Sequence, residues 1–553
     1  KQFIVNNKID GYIVPKNDKY FTEYSKVNNL IKITNFTGSA GFALILRKQN
    51  YLFVDGRYTI QANNQSGDKF KILEIPYVWP KNISKIRNSK IGFDPKLFTD
   101  KTINLYFGGK VNLVPLEFNF KNKSEKKINK IFYLNKHITG ESSATKINKI
   151  KLYMKKNKIN YLYVSASENV NWLLNIRGKD LPHSPLVNCK LIISNKGKSY
   201  LFINLKKINN NLKKYFKGII LCNEESLFKT ISNLKKGNFS IDPNTCSIFE
   251  KQIIISRFKV TGQHDPIYDL KSVKNQTEIN NSFKAHLEDG LALTKFLYWF
   301  KKNKKIVNEQ QVEKKLETFR KRSKLYLYPS FETIAGSGPN GAIIHYRSNK
   351  NTNRSIKKND VLLIDSGGQY KWGTTDITRT TCYGSISQKI KDNFTRVLKG
   401  HISVATCDLK KYQNGNAIDR LARKYLKLVN LNYAHGTGHG VGFFLNVHEG
   451  PQAISSNNKI KLEKGMILSN EPGFYLNNKY GIRIENLIYI DEIKNKKFFK
   501  NLTYAPIDLD LVNFNLITKK EREYLFNYHL DVYKKISKFL NSKEKKWLVG
   551  LIK

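Results

Sequence analysis

The sequence contains no apolar run approaching the ~18 residues that cross a bilayer, so no membrane-spanning helix is expected. Nor does it open on an apolar leader: the chain starts at Lys1 with a polar stretch, and no signal peptide is expected. Cysteine is sparse, with five residues (Cys189, Cys222, Cys246, Cys382 and Cys407) in 553 and no C-x-x-C spacing. An odd, scattered set of this kind argues against a disulfide framework and reads as reduced, mostly buried thiols of a cytoplasmic protein. Negative charge is also scarce. Asp and Glu total 44 against 96 Lys and Arg, for a formal net charge of +52. No RNP-like, zinc-finger or helix-turn-helix signature accompanies that charge. Lysines occur in every segment beside abundant Asn, Ile, Tyr and Phe, so the balance reads as compositional bias, and no specific nucleic-acid partner is expected. Nonspecific attraction to polyanions at low salt follows from the charge alone.

A hydrophobic content of 40% over 553 residues supports about three globular domains. Residues 1–138 read as an α/β unit with strands at Gly11–Val14, Phe42–Leu46 and Tyr51–Val54. Residues 139–262 repeat that plan, with a helix over Ser143–Lys156 and strands at Tyr161–Val164, Leu191–Ser194 and Ser199–Ile203. Residues 263–553 form a third unit. It opens on a helix over Thr277–Lys301, whose apolar positions Ile279, Phe283, Leu287, Leu291 and Phe296 recur near the helical period. A second helix over Glu309–Lys321 follows, and the tail from Thr518 is helical and basic. Between them the chain turns rich in Gly, Asp, Glu and His on short strands, and five of the ten histidines fall between His345 and His448.

The scarce acids concentrate where the chemistry is expected. Asp365 ends the apolar strand Val361–Ile364, and a glycine-bearing turn returns the chain to Asp376, which opens the strand Asp376–Thr380. Alternation puts Asp376, Thr378 and Thr380 on one face, so the two aspartates meet across a hairpin. The idea recurs at Glu471, after Met466–Asn470, and at Glu485, where alternation also gives Arg483 the same face. His439 lies in His435-Gly-Thr-Gly-His439-Gly, whose glycines permit close backbone approach to a ligand. Four carboxylates and an imidazole suit two hard divalent cations with some transition-metal character. Without metal, such carboxylates repel one another in a partly buried cleft. The run Gly336-Ser-Gly-Pro-Asn-Gly341 matches G-x-G-x-x-G literally, but Pro339 and a following apolar segment deny it the strand–turn–helix context of a dinucleotide loop.

These motifs resemble those of the Xaa-Pro aminopeptidases (aminopeptidase P) of the long, three-domain kind. The likeness includes Phe36-Thr-Gly-Ser-Ala-Gly41 and Asp55-Gly-Arg-Tyr58, then Asn175-Ile-Arg-Gly178 with His183 and Pro185. It continues through Thr333–Ala342, Ile344-His-Tyr346, Leu363–Gly368, Thr375–Arg379, His435–His439, Asn470-Glu-Pro-Gly473 and Pro506–Leu511. The resemblance implies a mixed α/β and α+β architecture: two creatinase-type N-terminal α/β domains and a C-terminal "pita-bread" catalytic domain. It implies that Asp376 and Glu485 bridge two divalent ions, Mn²⁺ first with Zn²⁺ or Co²⁺ as alternatives. Asp365 completes one ion, and His439 with Glu471 the other. Glu471 is the implied proton carrier, and His345, His435 and His448 match the family's substrate and transition-state histidines. Arg483 is expected to orient Glu485 at the substrate site, and Phe331 is a candidate wall of the proline pocket. His286 is read as helix packing. The implied partners are peptides with proline at the second position and a second copy of the chain. A prolidase-like dipeptidase and a non-catalytic protein that kept the catalytic shell are the alternatives.

Overall fold

The computed structural model describes residues 1–120, 128–303 and 305–552. The chain divides into two compact units, Lys1–Asp269 and Leu270–Lys553.

The first unit contains two six-stranded sheets. In one, the spatial order is Lys71–Ile75, Asn50–Asp55, Phe42–Leu46, Gly11–Pro15, Lys90–Phe93 and Asn112–Pro115. In the other it is Ile219–Cys222, Ser199–Ile203, Cys189–Ser194, Tyr161–Val164, Asn238–Ile241 and Lys259–Gly262. The two orders correspond strand for strand, and so do the directions. Each central strand pairs antiparallel with one neighbour and parallel with the other, and both outer pairs are parallel. The repeated plan expected from the sequence is thus a repeated topology. Strands buried on both faces explain the continuous apolar runs: Tyr161–Val164 and Cys189–Ser194 are buried at every position.

The second unit opens on the helix Gln276–Lys302, one residue longer at each end than the apolar pattern suggested. Asn275 caps it by accepting from the Thr277 and Glu278 amides, while Glu278 reaches back to the Asn275 amide. Its glycine at 290 is sterically required, because a Cβ there would lie 2.3 Å from the Tyr504 carbonyl oxygen. Three antiparallel arrangements follow. Leu362–Ser366 is the centre of a three-stranded sheet, between Ile334–Ser337 and Ile377–Thr381. A five-stranded sheet runs Glu449–Ile454, Gly438–Gly440, Ile467–Asn470, Asn486–Ile493, Lys496–Asn501. A separate hairpin joins Gly473–Leu476 to Tyr480–Arg483. The helices Gln388–Ala405 and Lys519–Ile536 bury Phe394, Val397, Leu398, Leu525 and Val532 against Phe474 and Ile482 of that hairpin. Each such side chain contributes roughly 1.5–3 kcal/mol of burial, so the hairpin is held by a core and not by its own ladder.

Two features differ from the sequence reading. Asp365 lies inside its strand, not at its end, because its backbone pairs with Ile334 on one side and Thr378 on the other. The segment between the aspartates is more than a turn: Gly368–Tyr370 and Gly373–Thr374 form a small sheet with Tyr326–Pro329. The G-x-G-x-x-G run passes from the strand Ile334–Ser337 into a short 3₁₀ turn, Gly338–Ala342, as its proline foretold. Cys189, Cys246 and Cys382 are buried, Cys222 and Cys407 half-buried, and all five are free. Among the described residues no helix is long and apolar enough to cross a membrane.

Candidate metal centre

Backbone register alone gathers most of the acids. Asp365 opposes Thr378, and Asp376 lies two residues before Thr378, hence on the same face. In the five-stranded sheet Asn470 opposes Asn486, which leaves Glu471 and Glu485 as the next residues at one end of that pair. The Glu485 amide donates to the Thr378 carbonyl at 3.1 Å and joins the two carboxylate pairs. His439 is the middle residue of Gly438–Gly440. A Cβ at Gly438 would meet the Ser469 carbonyl oxygen at 1.9 Å, so only glycine lets the histidine strand lie this close to the strand leading to Glu471.

The resulting cluster holds three interlocking groups of donors. Ligand atoms of Asp365, Asp376 and Glu485 lie within 4.8 Å of one another, as do those of His439, Glu471 and Glu485, and those of Asp376, His439 and His448. His439 Nε2 stands 3.4 Å from Asp376 and 3.5 Å from Glu471. Its Nδ1 lies 2.9 Å from the Gly440 carbonyl, which fixes that nitrogen as the protonated one and leaves Nε2 as the donor. The Thr378 hydroxyl donates to Glu485 at 2.9 Å, and the Ser469 hydroxyl to Glu471 at 3.1 Å.

The electrostatics fit cations. Burial, with Asp365 and Glu471 alongside, pushes the Asp376 carboxyl well above its ordinary range. Burial and then Asp376 do the same to Glu485. Asp365 Oδ1 is buried with no hydrogen-bond partner among the described residues, while Oδ2 accepts from Arg483 at 2.6 Å. An orphaned carboxylate oxygen facing other carboxylates costs free energy that divalent ions would relieve.

Arg483 corrects an expectation. Its guanidinium pairs with Asp365, not Glu485, and reaches Glu485 only through Thr378, whose hydroxyl accepts from Arg483 Nε at 3.2 Å. The reason is a break in the strand: Tyr480–Arg483 ends in the hairpin and Asn486–Ile493 begins in the other sheet, so simple alternation does not carry across Ile484. Arg483 also donates to Tyr475 Oη at 2.6 Å and to the Ile344 carbonyl at 3.4 Å. It is 2% exposed, and its hydrogen bonds go to protein groups.

The remaining histidines take distinct positions. His448 packs edge-on against His439, ring centroids 4.4 Å apart at 88°. His435 Nε2 lies 2.9 Å from Tyr475 Oη, the same hydroxyl that accepts from Arg483. His345 is half-buried beside Ile344, whose carbonyl touches Arg483. Phe331 is buried next to Ser330, whose hydroxyl donates to the Thr375 carbonyl, one residue before Asp376. His286 and His401 are core residues: each is buried, and burial pushes His401 down to about 3. The sequence pattern put Thr378 on the face of Asp376 without giving it a role, and Tyr475 and Ser469 were passed over. Uncharged hydroxyls carry no signal of their own, although Thr378 shares the face of Asp376 and Ser469 stands two residues before Glu471.

Comparison with known proteins agrees with this reading of the fold. A model of metallopeptidase family M24 matches residues 283–492, and one of that family's C-terminal region matches 498–551. Models of the creatinase/prolidase N-terminal domain match 1–117 and 122–278. The chain therefore belongs to metallopeptidase family M24, in the form that carries two creatinase-type N-terminal domains and a pita-bread catalytic domain. Its full-length relatives include Xaa-Pro aminopeptidases. Xaa-Pro aminopeptidase 1 of Dictyostelium discoideum is 34% identical, over 100% of this chain and 95% of that protein. The crystal structure of X-prolyl aminopeptidase from Caenorhabditis elegans, a cytosolic enzyme with a di-nuclear active site, superposes with a TM-score of 0.91 at 30% identity, over 99% of this chain and 95% of that one. A recombinant prolidase from Thermococcus sibiricus, 26% identical, covers 67% of this chain at a TM-score of 0.54.

Proposed function

We infer that this chain is a metal-dependent aminopeptidase that hydrolyses the bond between any N-terminal residue and a penultimate proline. The observation that carries this reading is the convergence of Asp365, Asp376, His439, Glu471 and Glu485 on one cluster, in a chain whose full-length relatives include Xaa-Pro aminopeptidases. Asp376 and Glu485 would hold two divalent ions together with Asp365 on one side and His439 and Glu471 on the other. An oxygen-rich set with a single imidazole favours Mn²⁺, ahead of Zn²⁺ or Co²⁺. When bound, the pair of cations supplies a water acidic enough to attack an amide carbonyl near neutral pH.

The chain's own groups do the rest. Glu471 takes the proton of the attacking water and delivers it to the departing nitrogen, with the Ser469 hydroxyl orienting its carboxylate. His448 donates to the carbonyl oxygen as charge develops there, and His435, whose Nδ1 faces the Gly436 carbonyl, joins it by exchanging the Tyr475 hydroxyl at Nε2 for that oxygen. His345 and Phe331 shape the proline pocket, and Arg483 acts through Asp365 and Tyr475. A dedicated pocket is needed because a proline amide lacks N–H and carries a ring. We assign domain limits of 1–138, 139–262 and 263–553, a homodimeric assembly and a cytoplasmic location, the last in line with the nematode relative described as cytosolic.

Hydrolysis of an Xaa-Pro-Xaa tripeptide against the matching Xaa-Pro dipeptide tests the substrate class. The tripeptide is expected to turn over at least tenfold faster in kcat/KM. A preference for the dipeptide would assign a prolidase instead, and no hydrolysis of either by metal-loaded protein would assign a binding role.

A further inference from the structure

Directly after His448 stands a carboxylate that the reaction does not use. Glu449 is buried, its side chain only 1% exposed, and two buried lysines converge on it. Lys271 Nζ lies 3.2 Å from Oε2, and Lys274 Nζ contacts Oε1 closely. The lysines hold Glu449 ionised, below the ordinary glutamate range, against the opposing effect of burial.

The cluster is tied to the centre on three sides. Glu449 pairs with Gly440, the neighbour of His439, and a Cβ at Gly442 would lie 3.1 Å from Glu449 Oε2. His448 precedes it and packs against His439. The lysines come from a segment fastened to the strand that leads to Glu471: Lys274 donates its amide to the Gly465 carbonyl at 3.0 Å, and Val273 bridges Met466. One carboxylate thus links the His448 loop, the glycine run after His439 and the approach to Glu471. Taking three charges out of water is expensive, and apolar side chains of similar volume stabilise a core at least as well. The arrangement calls for a role besides stability.

We propose that Glu449 is a positioning residue for His448, clamped by the ammonium groups of Lys271 and Lys274. This rests on the aminopeptidase reading, in which His448 donates to the substrate carbonyl. The clamp sets the distance between the His448 ring and that oxygen, so its removal lowers kcat and leaves KM nearly unchanged.

The test replaces the cluster by apolar groups in the full-length, metal-loaded protein: Lys271→Met, Lys274→Met and Glu449→Leu together. The urea midpoint is expected at or above that of the wild type, with bound metal unchanged, kcat for an Xaa-Pro-Xaa peptide at least tenfold lower and KM within threefold. A crystal structure of the variant is expected to show the His448 ring displaced from its 4.4 Å contact with His439. A folded variant with wild-type kcat, or with that ring contact intact, overturns the proposal. Should the triple variant fail to fold, Lys274→Met with Glu449→Gln carries the same expected kcat loss, and wild-type turnover in it overturns the proposal equally. Absence of turnover in metal-loaded wild-type protein would contradict the aminopeptidase reading itself, and the ring contact would still judge the clamp.

Discussion

At the scale of residues, Asp376 and Glu485 are the most constrained groups in the chain. Each is buried among other carboxylates that push its pKa up. Asp376→Asn and Glu485→Gln should each lower kcat by at least a thousandfold and reduce bound metal, as read by elemental analysis. They should leave the urea midpoint of the metal-free protein unchanged or higher, because each removes like-charge repulsion. Near-normal rates in either variant would contradict their place among the metal ligands. The ligand set was legible in the sequence because its members are acids and an imidazole in a chain poor in acids, gathered on short strands, with His439 between glycines and Glu471 before a proline. The Arg483–Asp365 ion pair was not, since it joins residues 118 apart across a strand break that alternation does not mark. Tyr475 was missed for the same reason: its hydroxyl matters only through His435 and Arg483, which no local pattern links to it.

At the scale of elements, register and close approach carry the site. Gly438 allows the His439 strand to pass within reach of Ser469. Gly438→Ala should force the strands apart and weaken metal retention at least tenfold on dialysis against a chelator, at a stability cost of about 1–3 kcal/mol. Retention equal to the wild type would argue against this fit. A second element-level prediction concerns the N-terminal unit. Burial first, with Asp242 adding to it, raises the Asp265 carboxyl from 3.8 to about 6, although Asn169 and the Ile267 amide donate to it. The folded state thus binds a proton more tightly than the unfolded chain. The cost is fully present above pH ~6 and vanishes below pH ~4, so stability rises as pH falls through that window. Asp265→Asn should remove this slope and raise stability at pH 8 by roughly 2 kcal/mol, measured by urea denaturation at both pH values. Helix ends were readable to within a residue because caps such as Asn275 are local signals. Strand partners were less so. Asp365 lies mid-strand because Ile334, thirty-one positions earlier, pairs with it.

At the scale of the whole molecule, the repeated element order of the N-terminal half was visible, but the shared strand order of its two sheets was not, since pairing is non-local. The charge of +52 belongs at this scale too. Retention on immobilised heparin should be lost between about 50 mM and 200 mM salt, as counterion release requires. Binding that persists at physiological salt would favour a nucleic-acid role. The chemistry of the chain depends above all on the paired metal ions, and one experiment reaches them directly: metal content and Xaa-Pro-Xaa turnover measured on the same preparation, before chelation, after it, and after return of Mn²⁺. The expected result is two ions per chain, loss of turnover with their removal and recovery with their return. Full turnover by metal-free protein, or saturation at a single ion, would contradict it.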